Sequence, residues 1–161
     1  MMMTEKLQKA MNDQIKAEMW SSNLYLSMSI YFEKEGYEGF ASWMRAQAKE
    51  EMEHAYDFIG YMQKRGAVPV VSQIDAVPTE WANPLAVFEA VYKHETYVSS
   101  LIDALHDLCV EEKDKASQDF LWQYIREQVE EEATTGAIVE KAKKAGETGL
   151  LMLDLKLAER K

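Results

Sequence analysis

The sequence predicts an all-α protein, a four-helix bundle with one long crossover between its second and third helices and a short fifth helix at the C terminus. Apolar residues recur at intervals of three and four over four long segments, as in amphipathic helices. Only three prolines and seven glycines stand among the 161 residues, too few for the many tight turns of a sheet-rich fold. A single domain over 1–161 is expected, because this length suffices to bury one core.

The first two helices are predicted at about 4–35 and 38–65, with a short turn at Gly36 and Gly39 between them. The apolar seam of the first helix repeats at helical spacing and consists of Leu7, Met11, Ile15, Tyr25, Met28 and Phe32. The seam of the second helix consists of Phe40, Trp43, Met44, Phe58, Tyr61 and Met62. Gly66 ends the second helix, as glycine commonly does at a helix C terminus.

The segment from Gly66 to Asn83 contains two prolines and shows no helical period. A helix of about 27 residues is ~40 Å long, whereas some 17 extended residues span up to roughly 56 Å. The segment can therefore run the length of the bundle and make the second and third helices parallel. A disordered segment or a lid loop is the alternative, because irregular connections longer than about 12–15 residues are uncommon in compact domains.

The third helix opens with Asn83 and Pro84, an N-cap followed by proline at the first helical position. Its seam consists of Phe88, Val91, Val98, Ile102, Leu105 and Cys109. The fourth helix is predicted from near Asp114 to about 145, although no glycine or proline marks the break before it. Its inward residues are Leu121, Tyr124, Ile138 and Ala142. After the bundle, about 4–145, Gly146 and Gly149 separate a leucine-rich tail, predicted as a short helix over about 147–158.

The charge and the single cysteine exclude several classes of function. A formal charge of −10 argues against a nucleic-acid partner and suits a protein that attracts cations. Cys109, the one cysteine, excludes an internal disulfide and a zinc ribbon, and it favours a reduced, cytoplasmic setting. No apolar run approaches the roughly 18 residues of a membrane span, and no signal peptide is evident, so no membrane partner is expected.

Each apolar seam is interrupted by polar residues where the helical period calls for apolar ones. In chain order these are Glu18, Glu51, His54, Glu95, Gln128 and Glu131. Residues three or four apart share one helix face, so every helix is expected to point a polar group inward. At a rise of ~1.5 Å per residue, Glu18 and Glu51 lie ~26 and ~22 Å from the first turn, and Glu95, Gln128 and Glu131 lie ~22–27 Å from the turn between the third and fourth helices. All six residues therefore fall near mid-bundle.

Four inward carboxylates need neutralisation, because burying each unpaired charge costs several kcal/mol. They could take up protons and form a hydrogen-bonded cluster with raised pKa values, or they could bind cations. Two divalent ions would balance four carboxylates, and no Lys or Arg occupies the seams at this level. Carboxylates with a single imidazole suit iron or manganese better than structural zinc.

The set Glu18, Glu51-x-x-His54, Glu95 and Gln128-x-x-Glu131 resembles the ferroxidase centre of the bacterial non-haem ferritins. The resemblance covers essentially the whole chain, including the crossover and the fifth helix. It implies iron storage and detoxification: a ferroxidase that oxidises Fe²⁺ to Fe³⁺ with dioxygen, or with hydrogen peroxide, at an intra-bundle di-iron centre. It also implies a hollow shell of twenty-four subunits that stores the ferric mineral, with two irons per subunit at the centre and no haem.

The same resemblance assigns a role to each residue of the centre. Glu18, Glu51 and His54 would hold the first iron, and Glu51 would bridge to the second. Glu95 and Glu131 would hold the second iron. These five residues make up the expected catalytic set.

Two residues beside the centre are assigned by the resemblance as well. Gln128 would lie next to the second iron. Tyr25, two turns after Glu18, matches the family's tyrosine beside the centre and would join the catalytic set, although it could equally be an ordinary core tyrosine.

A further set of carboxylates, Glu50, Glu127 and Glu130, adjoins the site residues. The resemblance to ferritins with a third, cavity-side iron site implies that this set binds a third iron. A solvated acidic surface is the alternative reading.

Other readings of the chain remain open. Met52 stands where some bacterioferritins ligate haem, but the second Glu-x-x-His of that family is absent, and a packing role for Met52 is the alternative. An interaction bundle without chemistry would carry apolar or neutral residues at the six positions. A di-iron oxygenase usually needs a longer chain and that second Glu-x-x-His. In the tail, Leu150, Leu153 and Leu157 are expected to pack with symmetry mates, or else to fold back on their own bundle.

Overall fold

The computed structural model describes residues 2–160, and over that range it contains four α-helices. Their bounds are α1 Glu5–Lys34, α2 Glu38–Lys64, α3 Pro84–Glu111 and α4 Lys115–Leu157. The predicted beginnings of all four helices agree with these bounds to within a residue or two. Within this part of the chain, no helix is both long and apolar enough to cross a membrane.

Side-chain caps account for the beginnings of three helices. Thr4 accepts a hydrogen bond from the amide of Leu7 at 3.2 Å, and Asn83 accepts one from the amide of Ala86 at 2.8 Å. Asp114 caps α4 in the same way, through the amide of Ser117 at 3.0 Å. Each cap satisfies one of the amide groups that have no partner within the first helical turn.

The crossover is ordered along α1, and this ordering excludes a lid or a disordered segment. Near its beginning, the amide of Val70 donates to Asn12 Oδ1 at 2.8 Å. Near its end, Ser27 Oγ donates to the main-chain oxygen of Pro78 at 2.6 Å. Earlier residues of the crossover thus contact the beginning of α1, and later ones contact a later part of α1. The segment therefore runs along the length of the bundle. The helices α2 and α3 therefore run parallel, as predicted.

The apolar core is divided into two clusters, one at each end of the bundle. The cluster next to the α1–α2 turn includes Phe32, Phe40 and Phe88, and the other includes Met11 and Phe58. On every helix the predicted site residues lie between members of the two clusters. The bundle therefore has a polar layer between two apolar ends.

The predicted fifth helix is not a separate element over residues 2–160, because α4 leads into the helical tail to Leu157 with only the non-helical Gly146 between them. Its direction changes at Gly146, which has φ 60° and ψ −177°. A single glycine makes the bend, so no loop separates a fifth element. Only glycine adopts such a conformation at little cost.

The tail beyond Gly146 packs against its own bundle, contrary to the expectation that its leucines have no room there. Leu153 is buried, and Leu150 and Leu157 contact the cluster next to the α1–α2 turn. Asp154 Oδ1 accepts a hydrogen bond from the amide of Phe40 at 2.8 Å. The opposite side of the tail exposes three apolar side chains, Leu151, Met152 and Leu155.

Candidate metal centre

The six residues predicted at mid-bundle form one site, here called the mid-bundle centre: Glu18, Glu51, His54, Glu95, Gln128 and Glu131. Each helix supplies at least one of them, as the helical spacing predicted. Glu18, Glu51, Glu95 and Gln128 are buried, and His54 and Glu131 are half-buried. Such burial is unusual for carboxylates, which are seldom fully buried without a partner.

The first half of the centre is built around His54. Its Nδ1 lies 3.6 Å from Glu18 Oε2 and 3.5 Å from Glu51 Oε2. One ligand atom from each of the three residues lies within 4.8 Å of the others, close enough for all three to hold one cation. Among the described residues, Glu18 Oε2 has no hydrogen-bond partner although it is buried. A buried oxygen without a donor is what a cation at this position would satisfy.

The second half is built around Glu95, which receives hydrogen bonds from three other helices. The hydroxyl of Tyr25 donates to Glu95 Oε1, and Gln128 Nε2 donates to Glu95 Oε2 at 3.1 Å. From α2, Gln47 Nε2 lies 3.4 Å from Glu95 Oε1 and 2.9 Å from Glu131 Oε2. Tyr25 therefore contacts the centre directly and is also a fully buried core residue, whereas its place in the catalytic set stays a prediction.

The sequence interpretation missed Gln47. This residue stands four positions before Glu51 on the same helix face, and a polar residue at that spacing is the signal that could have identified it. Gln47 is fully buried and faces the centre.

Burial and crowding perturb the pKa values of the first half of the centre. Burial, followed by the negative charge of Glu18, raises the pKa of Glu51 well above its ordinary value. Burial would also raise the pKa of Glu18, but the interaction with His54 outweighs burial and lowers it. Burial lowers the pKa of His54, yet hydrogen bonding to Glu127 and to the two glutamates outweighs burial and raises it strongly. Within the pair, a proton is therefore favoured on Glu51 over Glu18.

The second half shows the same effect. Burial raises the pKa of Glu95, and hydrogen bonding from Tyr25 only partly offsets this change. Burial and the charge of Glu95 raise the pKa of Glu131 from 4.5 to about 7. Protons and cations therefore compete for these carboxyl groups, because binding a divalent ion favours their ionised form.

A second carboxylate group lies on α2 and α4, and it differs in one member from the predicted third site. It consists of Glu50, Glu127 and Glu131, each half-buried, with one oxygen from each within 4.8 Å of the others. Glu130 is exposed and is not part of this group. All three members also have other partners. Glu127 Oε1 lies 2.9 Å from His54 Nε2, Glu50 Oε1 lies 3.0 Å from Arg160 Nη2, and Glu131 Oε2 accepts the hydrogen bond from Gln47.

A four-helix bundle with one long crossover and carboxylates and histidine on facing helices is the arrangement of the ferritin-like di-iron proteins. Residues 8–145 match the family model of the ferritin-like domain. The chain belongs to the ferritin family, among the bacterial non-haem ferritins.

Individual relatives match over almost their whole length. The chain is 59% identical to a bacterial non-haem ferritin of Bacteroides fragilis strain YCH46 over 159 residues, which cover 99% of this chain and 100% of the relative. It is 37% identical to a probable bacterial non-haem ferritin-like protein of Haemophilus influenzae, covering 95% and 94%. Among solved structures, an open-pore ferritin of the archaeon Archaeoglobus fulgidus is 43% identical and has a TM-score of 0.96, covering 99% of both chains.

Proposed function

We propose that this protein is a ferroxidase that oxidises Fe²⁺ with dioxygen at the mid-bundle centre and stores the ferric product as mineral inside a hollow oligomeric shell. The observation that carries the proposal is the buried group of Glu18, Glu51 and His54, whose ligand atoms lie within 4.8 Å of one another. Oxygen donors with one imidazole suit iron, and membership of the ferritin family supports the same conclusion.

Iron is the substrate, and the protein positions a pair of ions. Glu18 and His54 bind the first Fe²⁺ together with Glu51, whose carboxylate bridges the two halves of the centre. Glu95 and Glu131 bind the second. The four carboxylates balance two divalent charges, so the pair is held in the bundle without a net charge.

The redox chemistry belongs to the iron and the oxidant. Two Fe²⁺ ions supply the two electrons that, with two protons, reduce dioxygen to hydrogen peroxide, and peroxide can accept a further pair to give water. After oxidation, two Fe³⁺ ions carry more positive charge than the four carboxylates balance. The ferric ions are therefore expected to leave the centre before it binds Fe²⁺ again.

Tyr25 and Gln128 act through Glu95 in this proposal. Both donate a hydrogen bond to its carboxylate from opposite helices. They hold the side chain in one orientation, so that it needs no rearrangement when the second Fe²⁺ arrives.

A third iron site is proposed at the second carboxylate group, Glu50, Glu127 and Glu131. The proximity of three carboxylate oxygens supports it, because such crowding favours a bound cation over mutual repulsion. Glu130 is exposed and neighbours Glu131 in sequence, and in this proposal it guides ions toward the group. No haem is part of the proposal, and Met52 is taken as a packing residue.

Storage needs a closed shell, and we infer self-assembly into twenty-four subunits. Leu151, Met152 and Leu155 on the outer side of the tail are exposed, and symmetry mates of this chain would cover them. The tail beyond Gly146 would thus play the part of the short fifth helix at a symmetry axis. The cytoplasm, a reducing compartment that suits the single thiol, is the proposed location.

Aerobic iron loading tests the proposal. Metal-free protein receives Fe²⁺ in steps, and ferric absorbance, oxygen consumption, particle mass by light scattering and iron content are followed together. The proposal expects oxidation without any organic substrate and many irons that co-elute with a particle of roughly twenty-four chains. A mass near that of a monomer or dimer in the presence of iron would refute storage, and a requirement for an organic substrate would indicate an oxygenase instead.

A further inference from the structure

The side-chain amide of Gln47 has hydrogen-bond partners on one side only. Its side chain is 0% exposed. The amide nitrogen Nε2 lies within hydrogen-bonding distance of Glu131 Oε2 at 2.9 Å and of Glu95 Oε1 at 3.4 Å. Its carbonyl oxygen Oε1, by contrast, is buried and has no hydrogen-bond partner among residues 2–160.

The orientation of the amide is dictated by its neighbours. Turning the amide over would put the carbonyl oxygen against two carboxylates, and in the ionised form that binds a cation three acceptors would then face each other without a donor. The nitrogen must therefore face Glu95 and Glu131. The carbonyl oxygen then points away from them and has no partner within residues 2–160. Leaving a buried acceptor unsatisfied is unfavourable, so its retention calls for a donor that arrives from outside the chain.

We propose that Gln47 is a positioning residue for the second iron: its amide nitrogen spaces Glu95 and Glu131, and its carbonyl oxygen accepts a hydrogen bond from a water molecule that the second Fe²⁺ carries. The inference rests on the proposed function, since it requires a second metal ion between those carboxylates. Water bound to a divalent cation is a stronger donor than free water, because the ion polarises it.

The geometry assigns this role to the second iron alone. Gln47 donates hydrogen bonds to both carboxylates of the second half, and within residues 2–160 no hydrogen bond joins it to Glu18 or His54 of the first. One amide bridging carboxylates from α3 and α4 keeps the two ligands apart before the ion binds. The structure therefore predicts that loss of Gln47 changes the second binding step and leaves the first almost intact.

Gln14 is a matched control in the same bundle. It is also buried, it stands four residues before a ligand on its own helix, and its Nε2 donates to Glu18 Oε1 at 3.0 Å. The two glutamines thus hold comparable positions on opposite halves of the centre. Gln14→Leu and Gln47→Leu each remove an amide and leave a side chain of similar size.

The test is an anaerobic Co²⁺ titration of the full assembly, followed by visible absorption, for wild type and both variants. Gln47→Leu is expected to leave the first affinity within about twofold and to weaken the second by about 10–100-fold, the usual effect of losing a group that orients a ligand. Gln14→Leu is expected to weaken the first step instead.

Two results would overturn the inference. If Gln47→Leu bound both Co²⁺ ions with wild-type affinity, Gln47 would be only a packing residue. If it lost affinity equally at both steps, its effect would not be specific to the second iron. Wild-type protein that binds fewer than two Co²⁺ per chain would refute the proposed function itself, and the inference with it. Thermal unfolding of each metal-free variant separates binding losses from misfolding.

Discussion

His54 Nε2 lies 2.9 Å from Glu127 Oε1, while Nδ1 of the same ring faces Glu18 and Glu51. The two ring nitrogens therefore have different tasks. The Nε2–H group donates a hydrogen bond to Glu127. Nδ1 is the nitrogen that can bind the first iron, once it has lost its proton. Glu127 is thus a member of the second carboxylate group and also the residue that orients the histidine of the first iron.

Removing the Glu127 carboxylate is expected to impair the first iron as well as the third. In Glu127→Ala the imidazole loses its outer partner, and first-step metal affinity should fall about 10–100-fold. Glu130→Ala, which removes an exposed neighbouring carboxylate, should leave the first fast oxidation near wild type and alter only later turnover. Stopped-flow oxidation with one and then a second addition of Fe²⁺ measures both phases. Equal effects of the two substitutions would contradict the role of Glu127.

The raised pKa of Glu131 predicts how metal-free stability depends on pH. Its pKa rises from 4.5 to about 7 in the folded protein, so between these values the folded state holds a proton that the unfolded state has lost. This contribution to stability is fully present below pH 4.5 and is lost as pH rises through about 7. The unfolding temperature of the metal-free wild type should therefore fall over that pH range by more than that of Glu131→Gln. Parallel pH profiles of the two proteins would show that Glu131 does not titrate there.

Proton competition at the same carboxyl predicts weaker metal binding in acid. Cation binding requires Glu131 as a carboxylate, so the second Co²⁺ affinity should fall as pH drops below about 7. Co²⁺ titrations at pH 6 and pH 8 provide the measurement. The second step in wild type should change more between the two conditions than in Glu131→Gln, whose amide does not titrate. A second-step affinity in wild type that does not depend on pH would exclude this competition.

Gly39 tests the docking of the tail on the bundle. A Cβ at Gly39 would overlap the main-chain oxygen of Asp154, whereas a Cβ at Gly60 would meet nothing within 4 Å. Gly60→Ala should raise stability by up to ~1 kcal/mol, because alanine favours the helix. Gly39→Ala should instead displace the tail, lower the unfolding temperature and reduce the yield of full-size particles by light scattering. Full assembly of Gly39→Ala with raised stability would show that the tail does not need this contact.

The level of the mid-bundle centre was predictable from the sequence because helix geometry is regular. The rise per residue and the helical period suffice to place Glu18, Glu51, Glu95 and Gln128 at one height and facing inward. Whether Glu130 or Glu131 joins the second carboxylate group depends on side-chain direction around α4, which spacing alone does not determine. Gln47 was visible in its seam, but only the packed structure shows that its amide faces two carboxylates.

The turns were less predictable than the helices. The break between α3 and α4 contains Lys113 at φ 56°, a conformation that is uncommon for residues other than glycine and that no sequence signal announces. Arg65 pairs with both oxygens of Asp114 at 2.9 Å and anchors this turn to the end of α2. The direction of the tail likewise depends on tertiary contacts, since Gly146 permits a bend but does not specify its angle.

The most direct test of the central claim is the stoichiometry of fast Fe²⁺ oxidation in wild type and in Glu51→Ala. Metal-free particles of equal mass receive increasing Fe²⁺ in air, and ferric absorbance is recorded by stopped flow, with the exposed Glu53→Ala as the control. The account predicts a fast phase that saturates at two irons per chain in wild type and in Glu53→Ala, and that is slowed about 100-fold or more in Glu51→Ala because one carboxylate serves both irons. A Glu51→Ala variant that oxidises Fe²⁺ as fast as wild type would contradict the assignment of the centre.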